Sequence, residues 1–265
     1  MLAKTTKAIH AVLWPVENVQ AFTTTRHPPF TSTTLKKKLT TTDHYDAFNL
    51  GIHVGDNLLQ VKQNRQSLLA ILPERSQIQW LNQVHGCHVH YLNQYSPVAI
   101  EADAIITQCK HVALAIMTAD CLPILISDVQ GNEIAAIHGG WRSLSSNVIA
   151  KTITKMKTSR DQLYIWLGPC IGKTVFEVGE EVRQAFVNQS TDFITAFAPI
   201  INSTNNVKTI KYLADLQAIA IIQLRQLGII NVSILPHCTY SMPDDYYSYR
   251  RENITGRMAS IICRL

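Results

Sequence analysis

Residues 117–144 read MTADCLPILISDVQGNEIAAIHGGWRSL. Two short apolar runs, PILIS at 123–127 and EIAAI at 133–137, flank the turn-rich DVQGN. Runs of that length and composition predict strands, and the turn between them predicts a β-hairpin centred near Gln130. In that register residue 123 faces residue 138, and Cys121 lies diagonal to His138 on one face, about 7–8 Å away at Cα. Pro123 makes the start of the first strand irregular. A carboxylate and a thiol, Asp120-Cys121, therefore precede one buried-looking strand, and an imidazole, His138, ends the other. A packed free cysteine and a hydrogen-bonded core histidine would account for this. So would a thiolate and an imidazole sharing a metal ion.

Outward from the hairpin, strands and helices mix without a regular βαβ alternation. Strands are predicted at 78–81, 89–92, 103–107, 112–117, 163–168, 229–235 and 258–263. Asp56 is the expected cap of a helix carrying Leu58, Val61, Leu68, Leu69 and Leu72 and stopped by Pro73. A second helix is expected from about Ser143 or Ser145, with Leu144, Val148, Ile149, Ile153 and Met156 on one face, and others at 178–188 and 213–227. This pattern is a mixed α/β or α+β class with layered elements. The Thr-rich stretch at 23–43 reads as a surface loop. With no repeat and no shift of composition, residues 1–265 read as one domain.

The chain has 265 residues, of which 46% are hydrophobic and 16% charged, as suits a globular enzyme with a sizeable core. Its net charge of +5 owes something to Lys36-Lys37-Lys38, a solvated run with no basic helix or aromatic stripe beside it, so nucleic acid is not an expected partner. The six cysteines form no CxxC pair, which predicts reduced thiols. No leader pattern and no membrane-length apolar run is visible, and the expected location is cytoplasmic, as a monomer or weak homo-oligomer. Two donors do not make a metal site. Among ten histidines the most suggestive third is His85 in WLNQVHGCHVH, after a short strand and before Gly86. Two His and one Cys with an open fourth position form a catalytic zinc pattern, but spacings of 36 and 17 residues match no compact zinc motif. His53, His237 or Cys238 would close the site as a fourth ligand.

The motifs NLGIHVGD, WLNQVHG, TADCLPILISD, AAIHGGWRSL, LGPCIG, FEVGEEV, CTYS and SYRRENITGRMASII occur in the order seen in the laccase-domain family. That family is also called multicopper polyphenol oxidase-like or purine nucleoside phosphorylase, and some members carry peptidoglycan editing factor names. The chain resembles it from about residue 47 to residue 263. The resemblance implies a single α/β/β/α sandwich domain and zinc held by His85, Cys121 and His138. It also implies phosphorolysis of purine nucleosides such as adenosine, inosine or methylthioadenosine, and hydrolytic deamination of adenosine. Deamination needs an acid/base beside the metal, and Asp120 is the candidate; the alternative is that Asp120 orients a ligand histidine. Phosphate needs guanidinium groups, for which Arg65, Arg142, Arg250 and Arg251 are candidates and Arg142 the favoured one. Catalytic use of Cys121 as a nucleophile in a peptidoglycan-precursor editing amidase is a further alternative. Copper could occupy the same donors in a polyphenol oxidase, although His88-Val89-His90 is too little for a trinuclear cluster. Three departures from the family pattern stand out. TRHPPFT at 25–31 replaces a Gly pair with Pro28-Pro29, Gly139 stands in the HAGWR motif, and Cys170 stands in the GPAIG motif.

Overall fold

The computed structural model describes residues 5–30, 44–204 and 207–265. At its centre lies the hairpin of β9 (Leu122–Asp128) and β10 (Ile134–Gly139), antiparallel, with His138 opposite Pro123 as the turn length predicts. Asp128 closes the turn, its backbone carbonyl accepting from Gly131 N–H and its carboxylate from Asn132 N–H. All residues of both strands are buried, as expected of strands covered on both faces.

These strands belong to a six-stranded sheet. Its order is β15 (Val232–Ile234), β11 (Leu163–Leu167), β9, β10, β7 (Ala104–Thr107) and β5 (Val89–Leu92). Against it packs a five-stranded sheet of β1 (Ile9–Ala11), β2 (Val19–Thr24), β16 (Met258–Arg264), β8 (Val112–Thr118) and β3 (Gln77–Gln79). Side-chain alternation divides the core. Leu125, Ile134 and Ala136 of the larger sheet meet Leu114, Ile116 and Ile262 of the smaller one. On the other face of the larger sheet, Ile124, Ile126 and Ile137 meet the helical layer. That layer contains α2 (Trp141–Ser145), α3 (Val148–Lys155), α4 (Glu180–Val187) and α5 (Leu216–Gln226). The outer face of the five-stranded sheet is covered by Phe48, Leu50 and α1 (Leu58–Leu69), which contributes Leu68. The layers are thus α/β/β/α. A small sheet of β12 (Glu177–Val178), β14 (Val207–Ala214) and β13 (Phe197–Thr204) flanks the helices, and β4 (Leu81–Asn82) pairs with β6 (Ile100–Glu101).

Several boundaries differ from expectation. Asn57, not Asp56, caps α1, its Oδ1 accepting from Leu59 and Gln60 N–H; Asp56 instead accepts from Asn57 N–H and the Asn49 amide. The helix expected from Ser143 starts at Trp141 and breaks at Asn147, which adopts φ +62°. Ser145-Ser146-Asn147 offers weak helix formers, and Asn tolerates the left-handed region. The helix expected over 213–227 begins only after Asp215, whose carboxylate caps it at Ala218 N–H; 213–214 belong to β14. Strands β1, β2, β13 and β14 lie where no strand is read from the sequence. Of the surface loop expected over 23–43, residues 23–24 belong to β2, and 31–43 lie outside the described residues. Among the described residues no helix is long and apolar enough to cross a membrane.

Candidate metal centre and its cavity

The chain leaves β8 in one sheet and enters β9 in the other through Ala119-Asp120-Cys121. Asp120 makes the crossing possible by adopting φ +98°. The bend sends its carboxylate away from the Cys121 thiol. Asp120 Oδ1 accepts from Thr239 Oγ1 at 2.6 Å, and Oδ2 accepts from Ser248 Oγ at 3.0 Å and Arg250 N–H at 2.7 Å. Cys121 is left half-buried at the mouth of β9, one diagonal step from His138 at the end of β10.

His85 comes from the loop between β4 and β5, where it holds φ +59°. Asp103, fully buried before β7, fixes that conformation. Its Oδ1 accepts from His85 N–H at 2.9 Å and its Oδ2 from Gly86 N–H at 2.6 Å. The same Oδ1 lies 2.8 Å from His138 Nδ1, and the Asp103 carbonyl accepts from His138 N–H at 2.7 Å. One carboxylate therefore positions two imidazoles. With Nδ1–H of His138 donated to it, Nε2 is left to face the thiol.

The ligand atoms of His85, Cys121 and His138 all lie within 4.8 Å of one another. The two rings meet nearly edge-on, centroids 4.7 Å apart. Gly140 completes the cradle, because a Cβ there would stand 3.2 Å from Cys121 Sγ and 3.3 Å from His85 Cδ2. Burial opposes ionisation of the Cys121 thiol, yet the neighbouring His138 and His85 hold it below its ordinary value. Burial likewise opposes protonation of His138, but Cys121 and Asp103 raise it. A thiolate and two imidazoles in this arrangement could hold a metal ion. Among the described residues this is the one such group of three, and His53, His237 and Cys238 do not join it. His237 pairs with Tyr246, and Cys238 Sγ accepts from Gly172 and Ser241 N–H.

A cavity of about 390 Å³ opens over the cluster. Ile171, Phe176 and Leu216 make its apolar wall, and His53, Tyr249 and three arginines supply polar groups. Arg142 lies over the Trp141 ring at 4.4 Å, and its guanidinium makes no hydrogen bond or ion pair among the described residues. Arg250 reaches the cavity while donating to the Glu177 carbonyl at 3.0 Å. Arg257 also lines it, a residue of the NITGRMASII segment that is not among the expected phosphate ligands. Two expected phosphate ligands are elsewhere. Arg65, on α1, stacks on Trp80 at 3.8 Å and donates to the Leu50 carbonyl and the Met117 sulfur. Arg251 donates to the carbonyls of Thr239, Tyr240 and Tyr246.

Residues 31–265 match the family model described as multi-copper polyphenol oxidoreductase laccase. The chain belongs to this family. Within it, a purine nucleoside phosphorylase of Haemophilus influenzae is 38% identical over 250 residues, 94% of this chain and 96% of that one. The Escherichia coli protein named purine nucleoside phosphorylase YfiH is 39% identical over 218 residues, 82% of this chain and 86% of its own. The crystal structure of Neisseria meningitidis protein NMB0706 superposes with a TM-score of 0.84 at 35% identity, covering 97% of this chain and 99% of that one. The laccase-family description speaks of several coppers, whereas the described residues assemble one three-donor group. His90 on β5 and His88 just before it do not join this group.

Proposed function

We propose that the cavity performs phosphorolysis of purine nucleosides, with zinc at His85, Cys121 and His138. The observation that carries this reading is the meeting of the His-Cys-His cluster and three guanidinium groups in one cavity, in a chain whose relatives are named purine nucleoside phosphorylase. Arg142, whose guanidinium has no hydrogen-bond or ion-pair partner among the described residues, offers a planar donor pair to phosphate, and Arg250 and Arg257 add charge around it. Phosphate held there attacks the anomeric carbon as the bond to the purine nitrogen breaks, giving ribose 1-phosphate and free base. Ile171, Phe176 and Leu216 exclude water from that face, which favours phosphate over hydrolysis.

The same site suits deamination of adenosine. His85, Cys121 and His138 would hold zinc, which when bound would supply a Lewis acid favouring ionisation of water near neutral pH. Asp103 holds His85 and His138 in place for it. Asp120 has both carboxylate oxygens committed to the 239–250 segment, so its part is to position that segment and the turn carrying Cys121, not to relay protons.

The decisive experiment incubates zinc-loaded protein with adenosine and inosine, with and without phosphate, and follows adenine, hypoxanthine and inosine. Phosphate-dependent release of base is the expected result. No turnover by the zinc-loaded wild type, or undiminished turnover by Cys121→Ala, would sink the proposal.

A second reading rests on Cys121, His138 and Asp103 standing in line, the order of a thiol nucleophile, its base and the group that orients the base. In that reading metal-free protein attacks an amide of a peptidoglycan precursor. Alkylation of Cys121 would then abolish amide cleavage by metal-free protein, whereas zinc would shield the thiol. Copper at the same donors, with phenol oxidation, ranks third, since a single three-donor group gives no trinuclear centre.

A further inference from the structure

We infer that Cys170 and Cys238 are a reversible disulfide site that responds to low-molecular-weight disulfides. The two residues are partners in an isolated parallel β-bridge. Cys170 N–H donates to the His237 carbonyl at 3.3 Å, and Thr239 N–H donates to the Cys170 carbonyl at 3.0 Å. Bridge partners on adjacent strands stand about 4.8 Å apart and project to the same side. That spacing falls inside the Cα separation of about 4.4–6.8 Å that a disulfide spans. The bridge stands outside the named strands, so no ladder fixes the local twist against closure.

The pair is asymmetric in the way exchange requires. Cys238 is partly exposed, and its sulfur accepts from Gly172 N–H at 3.2 Å and Ser241 N–H at 3.4 Å, which hold it in place at the surface. Cys170 is 3% exposed and out of reach of an outside reagent. Gly172 leaves the space above Cys238, since a Cβ there would come within 3.0 Å of its Cβ and Sγ. Cys238 is the attacking thiol and Cys170 the resolving one. In the first step Cys238 sulfur bonds to one sulfur of the external disulfide, whose S–S bond breaks, and the released thiolate takes the proton Cys238 gives up. In the second, Cys170 sulfur bonds to Cys238 sulfur, and the second small thiol departs with the Cys170 proton. Two protein thiols are oxidised and one external disulfide is reduced to two thiols.

The cross-link would reach the cavity through its neighbours. Ile171 lines the cavity and its N–H donates to the Asp120 carbonyl at 2.9 Å, while Thr239 holds the Asp120 carboxylate. Oxidation therefore ties together two segments that both seat the turn before Cys121.

The test uses zinc-loaded full-length protein equilibrated across ratios of oxidised to reduced glutathione, then alkylated and digested for peptide mass mapping. The expected result is a linked pair of peptides carrying residues 170 and 238, lost on adding dithiothreitol, with two fewer thiols titratable. In Cys170→Ala, Cys238 should instead stop at the glutathione adduct. Both cysteines remaining alkylatable throughout, an equal adduct on Cys238 in wild type and Cys170→Ala, or Cys238 joined to any other cysteine would each overturn the inference.

Discussion

Asp103 carries more of the site than any residue that would touch a metal. Its carboxylate accepts two backbone N–H groups of the His85 loop and faces Nδ1 of His138. Replacing it by Asn keeps the volume but removes the charge and turns one oxygen into a donor facing other donors. Partners of this kind affect metal affinity by about 10–100-fold. Asp103→Asn should therefore bind zinc at least about 10-fold more weakly in a competition titration against a chromophoric chelator. The residue was legible as the start of the 103–107 strand but not as part of the site. Its partner His138 is 35 positions away, and only strand pairing brings them together. The arginines divide on similar grounds. Arg65→Ala should destabilise by about 2–3 kcal/mol, through its lost stacking and hydrogen bonding, with KM for phosphate unchanged. Arg142→Ala removes a side chain that is exposed and held only by the Trp141 ring; it should lower Tm less than Arg65→Ala and raise that KM at least about 10-fold, because a cavity guanidinium is worth more than about 1.4 kcal/mol to an anion. Melting curves and steady-state kinetics on the two variants separate these outcomes. Both arginines are phosphate candidates in the sequence; burial and partners distinguish them.

At the scale of elements, the turn 119–121 is the piece on which the cavity depends. A residue other than glycine at φ +98° needs compensation, and three hydrogen bonds from the 239–250 segment provide it. Asp120→Ala would leave those buried donors without their acceptor, at a cost of about 1–3 kcal/mol. Its Tm should fall. Amide exchange should also quicken at 239–250 before it does in β9 and β10, which hydrogen-exchange mass spectrometry resolves. The hairpin itself was readable to the register, because DVQGN fixes the loop and the apolar runs fix the faces. The flanking strands were not. Val19–Thr24 buries three threonine and glutamine side chains that look polar in sequence, and β13 carries Pro199 and ends in a polar Asn-Ser-Thr run. Tertiary burial, not local pattern, makes the first of these strands, and pairing along β14 makes the second.

Across the whole molecule, the cluster sits where the two sheets are joined, with the helical layer closing the cavity from one side. A ligand bound there belongs to the folded state alone, so it stabilises the entire sandwich by mass action. At a free zinc concentration 100 times Kd that contribution is about 2.7 kcal/mol. Stripping the metal with a chelator should lower Tm by roughly 5–10 °C, and readdition should restore it. Calorimetry with and without zinc checks this, and His85→Ala should show no such difference. The layered architecture was foreseeable from the ordered motifs, whereas the coming together of Arg142, Arg250 and Arg257 required the fold. The three donors are also unequally supported. His138 lies inside a strand whose neighbours pair on both sides, Cys121 at a strand mouth, and His85 on a loop pinned by one carboxylate. A bound ion leaves such a set one bond at a time, and the donor on the softest support lets go first. Lifting of the His85 loop from Asp103 would then set the pace at which an ion held there exchanges, so Asp103→Asn should shorten the residence time of the metal as well as weaken its binding.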